Sequence, residues 1–158
     1  MSGQQVRQKA NGQDVDLARQ LVENAALASL AVVGSDGAPI VALNSPVLLP
    51  TGAILVLVSS LSAHGRALTA NSQAGLLFTG VEDLTDPMKT PRLTVQGSAV
   101  KANLDERAFF LERRPEAELY IDFSDMQLYR IDLKNAHLVV GFGRAVSLSP
   151  GCLARRLC

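Results

Sequence analysis

The fold is decided by the stretch AILVLV at residues 53–58, which is followed directly by SSLSAHGR at residues 59–66. The first six residues are all apolar, and a strand that does not alternate with polar residues is buried on both faces. In a small barrel, one face of this strand would line the interior. The other face would need a helix or a second subunit to cover it, so the stretch predicts a barrel strand and gives a first argument for a homodimer.

Further apolar runs on both sides of this stretch predict a mainly β domain. We predict strands at residues 29–33, 40–43, 53–58, 74–79, 92–100, 126–133 and 137–142. The turn Gly34-Ser35-Asp36-Gly37 predicts a hairpin, and Gly97 predicts a bend or a close backbone approach within its strand. Lys134-Asn135 should join the last two strands. Six or seven strands with short inserted helices imply a closed or nearly closed barrel, which removes exposed sheet edges.

Three short helices interrupt the predicted strands. The first begins at Asp14 or Asp16, the second spans residues 62–71, and the third spans residues 105–113 and ends before Pro115. We therefore divide the chain into a flexible arm at residues 1–13, a barrel domain at residues 14–148 and a tail at residues 149–158.

The composition excludes several classes of protein. Of the 158 residues, 47% are hydrophobic and 19% are charged, which suggests that a partner subunit covers part of the apolar surface. The 15 basic and 15 acidic residues cancel, and they form no basic stripe of the kind that binds nucleic acid. The N-terminal residues have no apolar signal-peptide core, and the apolar runs are too short to cross a bilayer. We therefore expect a cytoplasmic protein that binds neither membrane nor nucleic acid.

Neither nucleophilic catalysis nor metal binding is indicated. The two histidines, His64 and His137, have no second ligand at i+2 or i+4. The cysteines, Cys152 and Cys158, lie too close to the C-terminal end to suggest a disulfide framework or a metal site. We expect His137, inside an apolar strand, to be a core or interface residue. No metal site and no catalytic residue is assigned.

The segment after the apolar strand brings polar side chains to the start of a helix. These side chains belong to Ser59, Ser60, His64 and Arg66. A helix start presents unpaired N–H groups and the positive end of the helix dipole, which together suit a phosphate. The same residues are equally consistent with a plain N-cap at Ser62 and a solvated helix face, so both interpretations stay open.

This segment resembles the signature of the pyridoxamine-phosphate-oxidase-like FMN-binding split barrels, in which two serines and a leucine precede His-x-Arg. Further segments resemble other parts of that family in the same order: DGAP at 36–39, PRLTVQG at 91–97, RPEA at 114–117 and HLVVGFGRA at 137–145. The resemblance covers residues 15–148 and is closest to the haem-utilisation branch of the family.

The resemblance implies a six-stranded split β-barrel with short helices that forms a homodimer with two FMN sites at the subunit interface. Carried over by position, Ser59 and Ser60 would contact the flavin ring or the ribityl chain, and His64 and Arg66 would approach the phosphate. Arg92 would be a further flavin contact, although the residues alone are as consistent with a surface cation.

Two functions follow from the resemblance, and a third, from a different class, is considered beside them. The first is a small FMN-dependent oxidoreductase that acts on a small-molecule substrate or electron donor. The second is a haem-binding protein, in which Arg144 would suit a haem propionate. The third is a barrel that has lost its cofactor and serves as a binding module. Because no segment corresponds to the C-terminal substrate-binding part of the oxidases, pyridoxamine phosphate is not the expected substrate.

Overall fold

The computed structural model describes residues 8–141 and 143–155. Within these residues the strands are β1 (Gln8–Lys9), β2 (Ala28–Val33), β3 (Pro39–Asn44), β4 (Val47–Leu48), β5 (Ile54–Ser59), β6 (Gln73–Thr79), β7 (Arg92–Lys101), β8 (Met126–Gly141) and β9 (Arg144–Leu148). The α-helices are α1 (Gly12–Glu23), α2 (Ala63–Ala70) and α3 (Leu104–Arg113). Short 3-10 turns span Pro87–Lys89, Pro115–Leu119 and Pro150–Leu153.

Six of these strands form the wall of a barrel in the order β5, β8, β7, β6, β2 and β3, and every neighbouring pair is antiparallel. No backbone ladder joins β3 to β5 in the described part of the chain. The amide of Asn44 in β3 bridges the gap by donating from Nδ2 to the carbonyl oxygen of Leu57 at 2.9 Å. The predicted mainly β, nearly closed barrel is therefore confirmed, with its opening between β3 and β5.

Strand β5 is buried on both faces, as its sequence predicts. On one face Ile54, Val56 and Val58 belong to the core cluster of the barrel interior. On the other face Leu55, which is fully buried, packs in a second cluster with Phe110 of α3. A helix of the same chain thus covers the outer face, so this strand no longer argues for a second subunit. The homodimer stays a prediction that rests on other surfaces.

The last part of the sheet differs from the prediction. The two strands predicted at 126–133 and 137–142 are one continuous strand, β8, up to Gly141, and Phe142 lies outside the described residues. Opposite the bulge between Gln96 and Gly97, β8 contains the extra residue Lys134, so the chain bends there without leaving the sheet. A Cβ on Gly97 would lie 2.2 Å from the carbonyl oxygen of Asp132, which confirms the predicted close approach.

Strand β9 was not predicted as a separate strand. It returns along β8 after a turn in which Gly143 has a φ of 84°, a left-handed conformation that favours glycine. Only Arg144 and Ala145 of β9 fall in the segment 137–145 that carries the family resemblance, and the last strand predicted from the sequence ends at Phe142.

The N-terminal boundary also needs correction. Residues 1–7 of the predicted arm lie outside the described residues, but Gln8–Lys9 pair in parallel with β9. Helix α1 begins at Gly12, and its N-cap is Asn11 instead of Asp14 or Asp16. Asn11 and Asp14 form a capping box, in which each side chain accepts a hydrogen bond from the backbone N–H of the other.

The predicted tail packs against the barrel where it is described. Leu153 is fully buried, and Arg19 of α1 donates from Nη2 to the carbonyl oxygens of Cys152 at 3.2 Å and Ala154 at 2.9 Å. Burial raises the pKa of the Cys152 thiol above its usual value, which keeps it in the less reactive thiol form. Cys158 lies outside the described residues. No helix in residues 8–141 and 143–155 is both long and apolar enough to span a membrane.

Candidate functional site at the junction of β5 and α2

The end of β5 and the start of α2 are joined by a tight turn. Ser62 is the N-cap of α2, and its Oγ accepts from the N–H of Gly65 at 3.0 Å and donates to the carbonyl oxygen of Ser59 at 2.6 Å. A Cβ on Gly65 would lie 1.9 Å from that same carbonyl oxygen. Because only glycine fits there, the helix start rests directly on the strand end, and we call residues 59–66 the junction.

Four of the five predicted site residues lie in the junction. Ser60 is exposed, and the guanidinium of exposed Arg66 donates to the carbonyl oxygen of Leu61. His64 is half-buried, with Nε2 3.4 Å from the Oγ of Ser62. In the described part of the chain, the backbone N–H groups at the first two positions of α2 have no hydrogen-bond partner. The junction therefore offers backbone, imidazole and guanidinium donors within one helical turn.

Ser59 has a different environment from the one that the sequence suggests. Its Oγ donates to Oδ2 of Asp125 at 2.5 Å, and the N–H of Ser60 donates to the carbonyl oxygen of Asp125 at 2.7 Å. The Ser59 hydroxyl is thus already engaged, and a carboxylate lies beside the predicted phosphate site. Asp125 was missed because no local pattern marks it: it follows Ser59 by 66 residues.

Arg92 does not join the junction within one chain. Ser59 pairs on β8 with Met126, whereas Arg92 pairs across the sheet with Val139, thirteen residues further along β8. The Arg92 guanidinium donates to the carbonyl oxygens of Met88 at 2.9 Å and Thr90 at 3.2 Å and so braces the loop after β6. Its role as a flavin contact stays a prediction that requires a second subunit.

A cavity of about 190 Å³ adjoins the junction, because Met126, the strand partner of Ser59, lines it. Leu57, Tyr120 and Arg114 contribute further to its wall. Asn44 also lines it, is only 8% exposed, and has an Oδ1 that accepts no hydrogen bond. A buried acceptor without a donor is costly, so Asn44 is a strained polar group in the wall of this cavity.

The outer face of the sheet beside this cavity is apolar and uncovered. Val41 and Leu43 of β3 are each 66% exposed. Leu77 of β6 lies on the same face, because Ser29 of β2 pairs with both Leu43 and Leu77. His137 is exposed on this face as well, between Thr94 of β7 and Ser147 of β9. Of the two expected placements of His137, the core is wrong for the single chain, because the side chain alternates outward on β8, and the subunit interface stays a prediction.

Arg144, the candidate for a haem propionate, is engaged elsewhere. It donates from Nη2 to Oδ2 of Asp14 at 2.7 Å, and the Asp14 side chain is 4% exposed. This ion pair joins the first residue of β9 to the first turn of α1. A ligand that binds the rest of this 36% exposed guanidinium would share its charge with a buried carboxylate.

Comparison with known families supports the same fold. The family model for the CREG β-barrel matches residues 9–151. The chain belongs to the CREG β-barrel family. A search of curated proteins found no match to this chain.

Solved structures relate this CREG-family barrel to two groups. A haem-binding protein from Mycobacterium smegmatis is 27% identical, with a TM-score of 0.83 over 92% of this chain, and the chain spans 61% of that protein. HutZ, a haem storage protein from Vibrio cholerae, is 22% identical over 76% of this chain and 87% of its own, with a TM-score of 0.57.

The second group is represented by a Clostridium acetobutylicum protein of the pyridoxine-phosphate oxidase family, related to general stress protein 26. It is 14% identical over 89% of this chain and 96% of its own, with a TM-score of 0.68. At this identity the likeness concerns the fold. Together the comparisons confirm the resemblance to the oxidase-like split barrels and their haem-utilisation branch.

Proposed function

We propose that this chain binds FMN at the junction and acts, as a homodimer, as a small oxidoreductase. The observation that carries the proposal is the tight turn at Gly65, which presents the start of α2 together with His64 and Arg66 at the end of a barrel strand. This combination is the form of anion site that a phosphate prefers.

The donor set fits the FMN phosphate on one side of the junction only. The Asp125 carboxylate, next to Ser59, would repel a phosphate dianion. We therefore assign the phosphate to the side of Arg66 and His64, with the exposed hydroxyl of Ser60 as a further donor. Ser59 would act by fixing the turn through its bond to Asp125.

The cavity at Asn44 suits one edge of the flavin ring. The ring carries an N–H group, and a small rotation of the Asn44 side chain would let its buried, unpartnered Oδ1 accept a hydrogen bond from it. Leu57 and Met126 offer apolar contacts to the ring in the same cavity. Bound FMN would supply the redox chemistry, and these residues would bind and orient it.

A second copy of the chain would complete the site. The uncovered face with Val41 and Leu43 is the surface on which we propose that the copies pack, burying more than about 2,000 Å² in total, as obligate dimers usually do. The loop after β6 leaves the sheet at the end where Leu43 lies, because Ser29 of β2 pairs with both Leu43 and Leu77. Arg92, which braces this loop, would then be supplied to the partner's junction.

The test compares FMN with riboflavin, which lacks the phosphate. We expect wild type to prefer FMN, and Arg66→Gln to lose about ten- to a hundredfold in FMN affinity with little change for riboflavin. Arg107→Gln is the matched control, since Arg107 of α3 is a partly exposed arginine that is paired with Asp122. Equal loss for both ligands, or no loss, would remove Arg66 from the phosphate site.

Haem is the second candidate, and one relative favours it. The Mycobacterium smegmatis protein that binds haem covers most of this chain, and His137 is exposed on the uncovered sheet face. A histidine on a rigid strand is a suitable axial ligand for haem iron. Titrations of haem and FMN on one preparation separate the candidates. A Soret band that excess FMN leaves unchanged and His137→Ala abolishes would favour haem. Absence of both chromophores would favour a barrel without cofactor.

A further inference from the structure

A second cavity lies apart from the junction, on the opposite side of Arg114. Its volume is about 200 Å³, and it is enclosed by the last turn of α1, the hairpin of β4 and β5, the last turn of α3 and the C-terminal segment. Its apolar lining includes the core residues Val22, Val47 and Leu49 and the half-buried ring of Phe109. The lining also contains the guanidinium groups of Arg113, Arg114 and Arg155.

The lining of this cavity contains more cationic side chains than carboxylates. Glu23 is the single acidic residue in its lining, against three arginines. Arg155 contacts Glu23 at 3.4 Å, and Arg113 contacts its neighbour Glu112 at 3.4 Å, but both pairs are largely exposed. Exposed ion pairs of this kind contribute little, so an incoming anion can replace them.

Arg114 reduces the effect that the negative C-terminal ends of α1 and α3 have on the positive charge of this cavity. The C-terminal ends of α1 and α3 both face the cavity, and helix ends of this polarity disfavour anions. Arg114 donates to the carbonyl oxygens of Ala25 at 3.1 Å, Pro46 at 2.9 Å and Arg113 at 3.2 Å. It contacts no carboxylate within 4.0 Å in the described residues. Of these carbonyls only that of Arg113 ends a helix, whereas Ala25 follows α1 and Pro46 precedes β4. Arg114 therefore offsets part of the negative charge here, and the charges of Arg113 and Arg155 remain for a ligand.

The side chain of one of these arginines and the backbone of another are held in position before a ligand binds. The Arg113 guanidinium lies over the Phe109 ring, 4.2 Å from its centroid. The N–H of Arg155 donates to the carbonyl oxygen of Pro50 at 2.9 Å, which ties that residue to the rim. Preorganised donors lose less entropy when they bind an anion.

We propose that this cavity binds a small amphipathic carboxylate, with an apolar body on Val47, Leu49 and Phe109 and its carboxylate between Arg113 and Arg155. A cavity of about 150 Å³ lined by apolar side chains accommodates benzene, so this one has room for a single ring and a carboxylate. This site would be separate from the FMN site, because it shares no residue with the junction and only Arg114 lines both this cavity and the one at Asn44.

Benzoate is the probe, and uncharged benzamide of nearly the same shape is its matched ligand control. Isothermal titration of the full chain should show tighter binding of benzoate than of benzamide. Arg113→Gln and Arg155→Gln should each weaken benzoate binding about three- to tenfold and leave benzamide unchanged. Glu23→Gln should strengthen benzoate binding, because it removes the carboxylate that competes for Arg155.

Arg107→Gln is the protein control, since Arg107 lies on α3 outside the cavity. Circular dichroism of each variant shows that it is folded. The proposal is overturned if benzoate does not bind, if it binds no tighter than benzamide, or if all three arginine variants behave alike. FMN affinity is measured on the same variants and should not change, because none of the substituted residues lies in the junction. The proposal for the junction is thus tested apart from the proposal for this cavity.

Discussion

Strands β5 and β3 both carry apolar side chains on their outer faces, but only the outer face of β5 is covered by the chain itself. Leu55 of β5 is fully buried against Phe110, whereas Val41 and Leu43 of β3 are each 66% exposed. The two strands flank the opening of the barrel, where the side chain of Asn44 donates a hydrogen bond across it. An apolar outer face of a strand therefore indicates that something packs against it. Whether that is a helix of the same chain or another molecule depends on the topology.

This difference moves the proposed partner surface from β5 to β3. The helix α3 and the turn after it leave β3 free because they pack over β4, β5 and the start of β8. The following predictions test the two faces, beginning with the largest effect.

Removing the ring that covers β5 should cost the most stability. Phe110 is 2% exposed, so Phe110→Ala should lower the free energy of unfolding by about 3–5 kcal/mol in urea denaturation. Phe109→Ala, at a half-buried neighbour, should cost clearly less. If the two variants are equally stable, α3 does not cover β5 in solution.

Charging the uncovered face of β3 should separate the subunits without unfolding them. The double variant Val41→Asp/Leu43→Asp should weaken dimerisation about a hundredfold in sedimentation experiments, because aspartates would be buried in the interface. Leu104→Asp is the control, since Leu104 is an exposed apolar residue on α3. A double variant that dimerises like wild type, or a monomeric wild type, would contradict the assignment of this face.

The polar end of β5 can be tested by removing the charge beside Ser59. Asp125→Asn keeps an acceptor for the Ser59 hydroxyl but removes the negative charge, and it should raise FMN affinity about three- to tenfold. Riboflavin affinity should change little. Asp122→Asn, at an exposed carboxylate paired with Arg107, controls for the change in net charge. An unchanged ratio of FMN to riboflavin affinity would show that no phosphate binds near Asp125.

The loop after β6 should respond to acid. Hydrogen bonds from the side chain of Thr85 and from the backbone N–H groups of Asp86 and Thr85 hold the pKa of the Asp83 carboxyl below its usual value. Because the folded-state pKa is lowered, the contribution of Asp83 to the loop is complete above about pH 4 and is lost as the pH falls through the folded pKa.

Amide chemical shifts of Thr85 and Asp86 should therefore titrate together below pH 4. Asp83→Asn should abolish that titration while the amides of β6 stay unchanged. A midpoint at or above the usual aspartate value would mean that the loop is not held by these bonds.

Local patterns in the sequence are sufficient for several elements. The apolar run of β5, the hairpin at 34–37, the cap at Ser62 and the close approach at Gly97 are each specified by residues a few positions apart. Such features depend on backbone propensity and side-chain alternation, which a sequence displays directly. The resemblance of the junction to the split barrels rests on the same kind of short pattern.

Only the tertiary structure decided which groups meet across long stretches of chain. It joined Ser59 to Asp125 over 66 residues and Arg19 to Cys152 over 133, and it left Asn44 Oδ1 without a donor. It also made β8 continuous, because β7 supplies a ladder on both sides of the bulge at Lys134. These contacts depend on how the sheet curls and where α3 packs, and that geometry is set by the sum of all core contacts instead of by any one segment.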